Sequence, residues 1–210
     1  SSDLNMNYKD YIKDEYCDIY VRERDNLADR IIEAKYNLLF LTMAHKRSEI
    51  FNSTHYVTER FEIGVILRRI YITVAWELAL QIKAFTEDND KDTLTVNKLK
   101  NHIFKYLKDE KKQEVFDEIG SITKTDDWNT ASEMVSRISD YRNQIVGHNI
   151  FNSPKLTFDI EEAQFVILQY EKLFKVLSFH DSAYIKRVKN TDDEMTDYIK
   201  IFLDALLPLA

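Results

Sequence analysis

The sequence predicts an all-α protein. Glycine and proline are scarce, at 3 and 2 in 210 residues. Sheets and hairpins draw on both at their turns, so their scarcity argues for long helices joined by few tight turns. Apolar residues recur every three or four positions along most of the chain, the helical period. At 44% hydrophobic with 12 Tyr and 12 Phe, the chain has material for one sizeable core.

Residues 1–7 read as a flexible N-terminus or an expression remnant, with Met6 a candidate natural start. Ser1 to Asp10 has no apolar core of the kind a signal peptide carries. Tyr8 to about Phe51 has helical period (Tyr8, Tyr11, Ile12, Tyr16, Ile19, then Leu27, Ile31, Leu38, Leu41), as one helix or as two broken near Asp25-Asn26. Asn52-Ser53-Thr54 is a loop. A second long helix, apolar on most sides and therefore central, is expected from about Thr58 to Phe85. Within it Arg69, Thr73, Glu77 and Gln81 recur every four residues. They form either a stripe turned to solvent or a polar seam lining a site.

Glu87 to Asp92 is a polar, acidic loop. Thr95 can cap a helix from Val96 to about Lys108. Lys98, Lys105, Lys108 and Lys112 are placed on one face of it, opposite Leu99, Ile103 and Tyr106. Such a face is either simply solvated or a contact for RNA phosphates. A shorter helix, Gln113 to Ile119, is expected to stop at Gly120. Thr125 can cap the next helix, about Trp128 to Asn149, with Asp126 and Asp127 at its positive end. A loop to Lys155 follows. Asp159 and Glu162 form an Asp-x-x-Glu start for a helix from Ile160 to about Phe179. Thr191 and Glu194 repeat that signature before a last helix ending near Pro208. In domain terms, residues 8–180 form one helical domain and residues 181–210 are C-terminal helices packing on it.

Cys17 is the single cysteine, so no intrachain disulfide forms, and a reducing compartment fits. The most apolar stretch, Ile70 to Ile82, contains Glu77 and is flanked by Arg68, Arg69 and Lys83, which is too short and too charged to span a bilayer. A soluble, cytoplasmic protein with no membrane partner is expected. The net charge of −7 argues against a general nucleic-acid coat protein, though not against an enzyme meeting RNA at a small site. His45 and Glu49, and His55 and Glu59, are each four apart, the spacing of ordinary ion pairs. No zinc signature and no glycine-rich phosphate loop is present, so neither metal nor cofactor is expected.

One constellation carries chemistry. On the helix after Thr125 the apolar stripe runs Trp128, Ala131, Val135, Ile138, and then meets Arg142 before Ile145. A charge on the face turned to the core is costly unless it is paired or used. Six residues on, after Gly147, comes His148, whose side chain titrates near neutrality. Arginine suits phosphate, and histidine can take or give a proton. Those are the two roles that cleaving RNA without metal requires, and Asn143 could add a neutral hydrogen bond. Six helical residues separate the two Cα atoms by roughly 9 Å along the axis and about 120° around it. One chain therefore brings them together awkwardly unless Gly147 ends the helix. A two-fold dimer would gather two Arg and two His in one cleft. The structural reading of Arg142 is instead an ion pair with a buried glutamate, Glu77 being the candidate, and that of His148 a helix-terminal cation.

The string Arg142-Asn143-Gln144-Ile145-Val146-Gly147-His148 resembles the motif of the HEPN superfamily: Arg, four to six residues, then His, with Asn, Asp or His favoured after the Arg. The layout over roughly residues 8–180 also looks like the abortive-infection branch called AbiU. An apolar helix there ends in a polar loop, here Glu87 to Asp92. A start like Leu94-Thr95-Val96-Asn97-Lys98-Leu99 follows, and after the motif helix comes an opening like Leu156-Thr157-Phe158-Asp159. The resemblance implies an HEPN-like bundle of long antiparallel helices with short accessory helices, dimeric. It also implies a metal-independent endoribonuclease, with Arg142, Asn143 and His148 catalytic, in a toxin–antitoxin or phage-defence role with RNA as substrate and an antitoxin protein as partner. The alternative it implies is a non-catalytic HEPN module that binds a nucleotide or a protein and dimerises. In one subset of HEPN toxins a Tyr two residues after the His is modified by a partner enzyme. That position is Ile150 here.

Overall fold

The computed structural model describes residues 8–47, 51, 56–58, 61–87, 93–147 and 158–206, with side chains for all of these except 56–58, 61, 63, 144–147, 188–192 and 206. The expected stretches 1–7, 52–54, most of 87–92, and 148–157 thus lie outside the described residues or nearly so. The fold is mostly helical, as the glycine and proline count predicts. Among the described residues seven α-helices run in order: α1 Cys17–Lys46, α2 Ile63–Thr86, α3 Val96–Tyr106, α4 Lys112–Thr123, α5 Asp126–Gly147, α6 Ile160–Leu177 and α7 Ser182–Leu206. One minimal antiparallel hairpin, β1 Tyr56–Thr58 and β2 Phe61–Glu62, precedes α2. It occupies the start of the segment expected to be helical from Thr58.

α6 is the centre. Ala163, Val166, Ile167, Tyr170, Leu173, Phe174, Val176 and Leu177 are buried along it. Only the narrow stripe Glu161, Gln164, Leu168 and Lys172 is exposed. α1 runs antiparallel to it, with the Tyr20 hydroxyl donating to the Leu177 carbonyl (3.0 Å) at one end and Lys35 facing Glu171 (3.6 Å) further on. α5 is antiparallel to α6 on another side, marked by Trp128 against Tyr170 and Arg137 against Glu162. Phe85 of α2 meets Tyr170 edge-on, so one tyrosine ring joins three helices. α2 runs antiparallel to α1, with Asn37 donating to Gln81 (2.9 Å) and Arg30 to the Ala84 and Leu94 carbonyls.

Several boundaries differ from expectation for local reasons. α1 begins at Cys17 and passes Asp25-Asn26 unbroken, because Leu27, Ala28, Ile31 and Ile32 keep one face buried through the polar pair. The residues before it form two short 3-10 turns, with Tyr11 and Ile12 buried. There the backbone pairs with the end of α3: Lys13 N–H donates to Tyr106 O (2.9 Å) and Lys108 N–H to Tyr11 O (2.8 Å). That pairing takes Leu107 and Lys108 out of the helix. α4 continues past Gly120 to Thr123, since that glycine has no positive φ and Ile119 still faces the core. α7 starts at Ser182, nine residues before Thr191. Asp181 accepts from the Ala183 amide (2.8 Å) and Phe179 and His180 reverse the chain at φ 53° each, so the turn is complete well before Thr191.

α7 lies along α1 in the same direction, joined by Arg24–Asp181 (2.7 Å), by Arg187 with Asp29, and by Arg47–Asp204 (2.8 Å). Its Ile199 and Leu203 form a small second core with Leu67, while Tyr198 and Ile201 are exposed. Among the described residues no helix is long and apolar enough to cross a membrane, and no group of His, Cys, Asp and Glu could hold a metal ion.

Leu78 of α2 is fully buried and Leu168 of α6 is 47% exposed. Truncating Leu78 removes packed methyl groups and leaves a cavity, so Leu78→Ala should lower unfolding free energy by about 2–5 kcal/mol. Leu168→Ala should stay within roughly 0.5 kcal/mol of the parent. Urea midpoints of the two variants check this, and equal losses would contradict the placement of α6.

Candidate functional site

The site residues depend on α5. Its N-terminus is capped as expected, the Thr125 hydroxyl accepting from the Trp128 amide (3.2 Å). The spacing of apolar side chains then presses one face on α6 and α2. Ala131, Val135 and Ile138 are buried as the stripe predicts. The next buried position is Tyr141, three residues after Ile138 and 6% exposed. Tyr141 takes the core slot, and Arg142, one residue on, lies at the margin, half-buried. The charge that interrupts the stripe in sequence sits at its edge in the fold.

At that edge Arg142 has an unusual partner set. Its Nη1 donates to Asn143 Oδ1 at 2.8 Å. Its Nε is buried and has no hydrogen-bond partner among the described residues. No ion pair to Arg142 is present among them either. Glu77, the candidate structural partner, is exposed on α2. Asn143 is exposed beside the guanidinium. The backbone stays helical through Gly147, where α5 ends; His148 lies outside the described residues.

The four-residue stripe of α2 is split. Arg69, Thr73 and Glu77 are exposed, and the Thr73 hydroxyl turns back to the Arg69 carbonyl (2.9 Å). Gln81 is held by Asn37. Arg69 and Thr73 border an open, mostly apolar depression with Ile66, Ile70 and Val74, so the stripe faces solvent.

The lysines are spread over three elements, because α3 ends at Tyr106. Lys98 donates to the Thr93 carbonyl (2.7 Å) and Lys108 to the Lys9 carbonyl (2.7 Å). Lys112 pairs with Asp109 (2.6 Å), and Lys105 lies over the Tyr16 ring. Thr95 caps α3 through the Lys98 amide (3.1 Å), as expected.

The residues that sequence spacing did not single out lie beside Arg142. α5 and the start of α6 enclose an open cleft of roughly 270 Å³, lined by Arg137, Asp140, Tyr141, Phe158, Asp159 and Glu162 among others. Tyr141 and Phe158 meet at 5.2 Å between ring centroids. Arg137 closes one side through Nε and Nη2, both donating to Glu162 Oε1 (2.8 and 2.6 Å). Asp159 caps α6, its Oδ1 accepting from the amides of Glu161 and Glu162. Burial, reinforced by nearby Tyr71, pushes the Tyr141 phenol up to about 12. The signal for Tyr141 was available in the sequence, since it stands at the helical step after Ile138.

Compared with protein-family models, with curated proteins and with solved structures, the chain matches none. The functional reading therefore rests on the site itself and on the motif resemblance.

Two outcomes follow. With no acidic partner to strand among the described residues, Arg142→Ala should cost less than about 1 kcal/mol of stability. A loss of about 3–5 kcal/mol would reveal a buried counter-charge. For Tyr141, the folded phenol titrates near 12 and the unfolded one near 10. The folded state thus holds the proton more tightly, and this contribution is complete below pH 10 and lost as pH rises toward 12. Tyr141→Phe should flatten the alkaline limb of the stability profile in that window, as read by denaturant melts at stepped pH.

Proposed function

We propose that the chain is a metal-independent endoribonuclease of the HEPN type, working as a homodimer in a toxin–antitoxin or phage-defence setting. The observation that carries this reading is Arg142. It is a half-buried guanidinium with one edge held by Asn143 and a buried Nε–H lacking an acceptor among the described residues. Such a fork suits a phosphate oxygen, and Asn143 orients it.

The reaction needs no group the chain lacks. The RNA's 2′-hydroxyl attacks the adjacent phosphorus as His148 takes part in proton transfer. The 2′-O–P bond forms, the P–O5′ bond breaks, and a proton goes to the departing O5′. Arg142 neutralises charge on the non-bridging oxygens in the transition state. The products are a 2′,3′-cyclic phosphate, or the monophosphate from its opening, and a 5′-hydroxyl. Pairing two copies near the ends of α5 brings the Arg and His of both chains into one cleft.

The second reading, a non-catalytic HEPN module for a nucleotide or a protein such as an antitoxin, is favoured by the lysines. The ammonium groups of Lys98, Lys108 and Lys112 are engaged by carbonyls or a carboxylate of the chain itself. That leaves less basic surface for a long RNA.

Incubation with total RNA, with and without EDTA, separates the two. Cleavage should survive EDTA, spare DNA, and leave cyclic or monophosphate 3′ ends. Arg142→Ala should abolish it, and His148→Ala should cut turnover by about 10²–10⁴-fold while RNA binding persists. A strictly monomeric mass by light scattering counts against the paired site. Mg²⁺-dependent cleavage, or equal action on DNA, would sink the mechanism.

A further inference from the structure

The cleft between α5 and the start of α6 has a composition that the phosphate chemistry of Arg142 does not account for. Its apolar wall is the Tyr141–Phe158 pair. Tyr141 is more than nine-tenths buried, lines the cleft, and its hydroxyl has no hydrogen-bond partner among the described residues. That hydroxyl is not among the buried polar atoms left without a partner, so it is open at the cleft and free to donate to a ligand acceptor there. Asp140 lines the same cleft, is exposed, and makes no hydrogen bond or ion pair among the described residues. The other polar groups are engaged: Glu162 Oε1 by Arg137, and Asp159 Oδ1 by two amides at the start of α6.

We propose that this cleft is a base-binding subsite for guanine. The face of the purine stacks on Phe158, as unstacked RNA bases do on aromatic side chains. Asp140 is acceptor-only when ionised and has two oxygens, matching the adjacent N1–H and N2–H donors of guanine. The Tyr141 hydroxyl supplies a donor for an acceptor on the same ring, such as O6. Uracil offers one donor between two acceptors and would set an acceptor against Asp140. A simple cation would satisfy the carboxylates but leave the phenol without an acceptor. At roughly 270 Å³ the cleft takes one base rather than a larger ligand. As a statement about RNA cleavage the proposal rests on the ribonuclease reading, with Arg142, next to Tyr141 in the chain, taking the phosphate attached to the bound nucleoside. As a statement about base binding it stands by itself.

Calorimetric titration of the full chain with guanosine, inosine, uridine and agmatine tests it without any cleavage readout. Guanosine should bind saturably and at least about tenfold tighter than uridine, equivalent to about 1.4 kcal/mol. Inosine, which lacks the N2 amine, should fall between them. Asp140→Asn should remove the guanosine preference. Tyr141→Phe, which keeps the ring, should weaken guanosine with little change in melting temperature at neutral pH. Phe158→Ala should weaken all three nucleosides. No saturable guanosine binding, equal binding of uridine, or tighter binding of agmatine overturns the proposal. A guanosine preference in a protein that leaves RNA intact keeps the subsite and removes the ribonuclease reading. RNA cleavage with no guanosine preference does the reverse.

Discussion

The burial of α6 is the constraint on which the bundle depends. A helix apolar on most of its surface must be covered on most sides, and α5, α1 and α4 supply most of the cover while α3 and α2 close it. Tyr170 shows how closely the layers are tied, its ring meeting Phe85 of α2 and Trp128 of α5. The two ends of α6 are fixed differently. Asp159 caps the start, and the Leu177 carbonyl at the other end receives the Tyr20 hydroxyl from α1. Because both ends are held, the pairing of α5 against α6 is set, and with it the positions of Tyr141, Phe158 and Arg142.

Where the polar groups lie follows from where burial runs out. Arg137 and Glu162 pair across the outer edge of α5 and α6, while Ile138 and Tyr141 turn inward. In the deeper layers the charged groups have counterparts: buried Glu171 faces Lys35 at 3.6 Å and Lys175 at 3.4 Å. Arg142 differs. Its stem packs at the margin, as long cationic side chains do, yet among the described residues its head has only the neutral Asn143. An unsatisfied buried donor costs about 1–3 kcal/mol, and a stability requirement alone would favour an acceptor beside it or an apolar residue in its place.

Much of the architecture was legible because it depends on local chemistry. The scarcity of glycine and proline, the caps at Thr95, Thr125 and Asp159, and the stripe of Ala131, Val135 and Ile138 are all properties of short windows. The misplacements arose where distant segments decide. α3 stops at Tyr106 because residues 11–13, far away in sequence, pair with its end. α7 starts early because Asp181 and the two residues before it make a turn that sequence propensity assigns to no particular place, with Phe179 and His180 in a conformation side chains rarely adopt. Thr191 and Glu194 have the right letters for a helix start inside a helix that needs none. At the site, Arg142 and Asn143 were legible as a pair. The Tyr141–Phe158 cleft was not, since it joins α5 to α6 across the segment between them.

The place of Arg142 depends on a one-residue choice. A stripe at strict three-and-four spacing after Ile138 can continue at 141 or at 142, and only the tertiary packing chooses. Had 142 been the core position, its charge would require a buried acid, and Glu77 was the nearest candidate by pattern. Tyr141 took the slot instead, with its ring against Phe158, and Glu77 faces solvent. The same choice that moves Arg142 to the margin builds the aromatic wall of the neighbouring cleft. A tyrosine rather than a leucine at 141 brings a hydroxyl into that wall, where it makes no hydrogen bond to the described residues and is open at the cleft. Position 141 therefore links the two polar features of this end of α5. It sets the arginine at the margin, and it gives the adjacent cleft a donor that a purely structural core would omit.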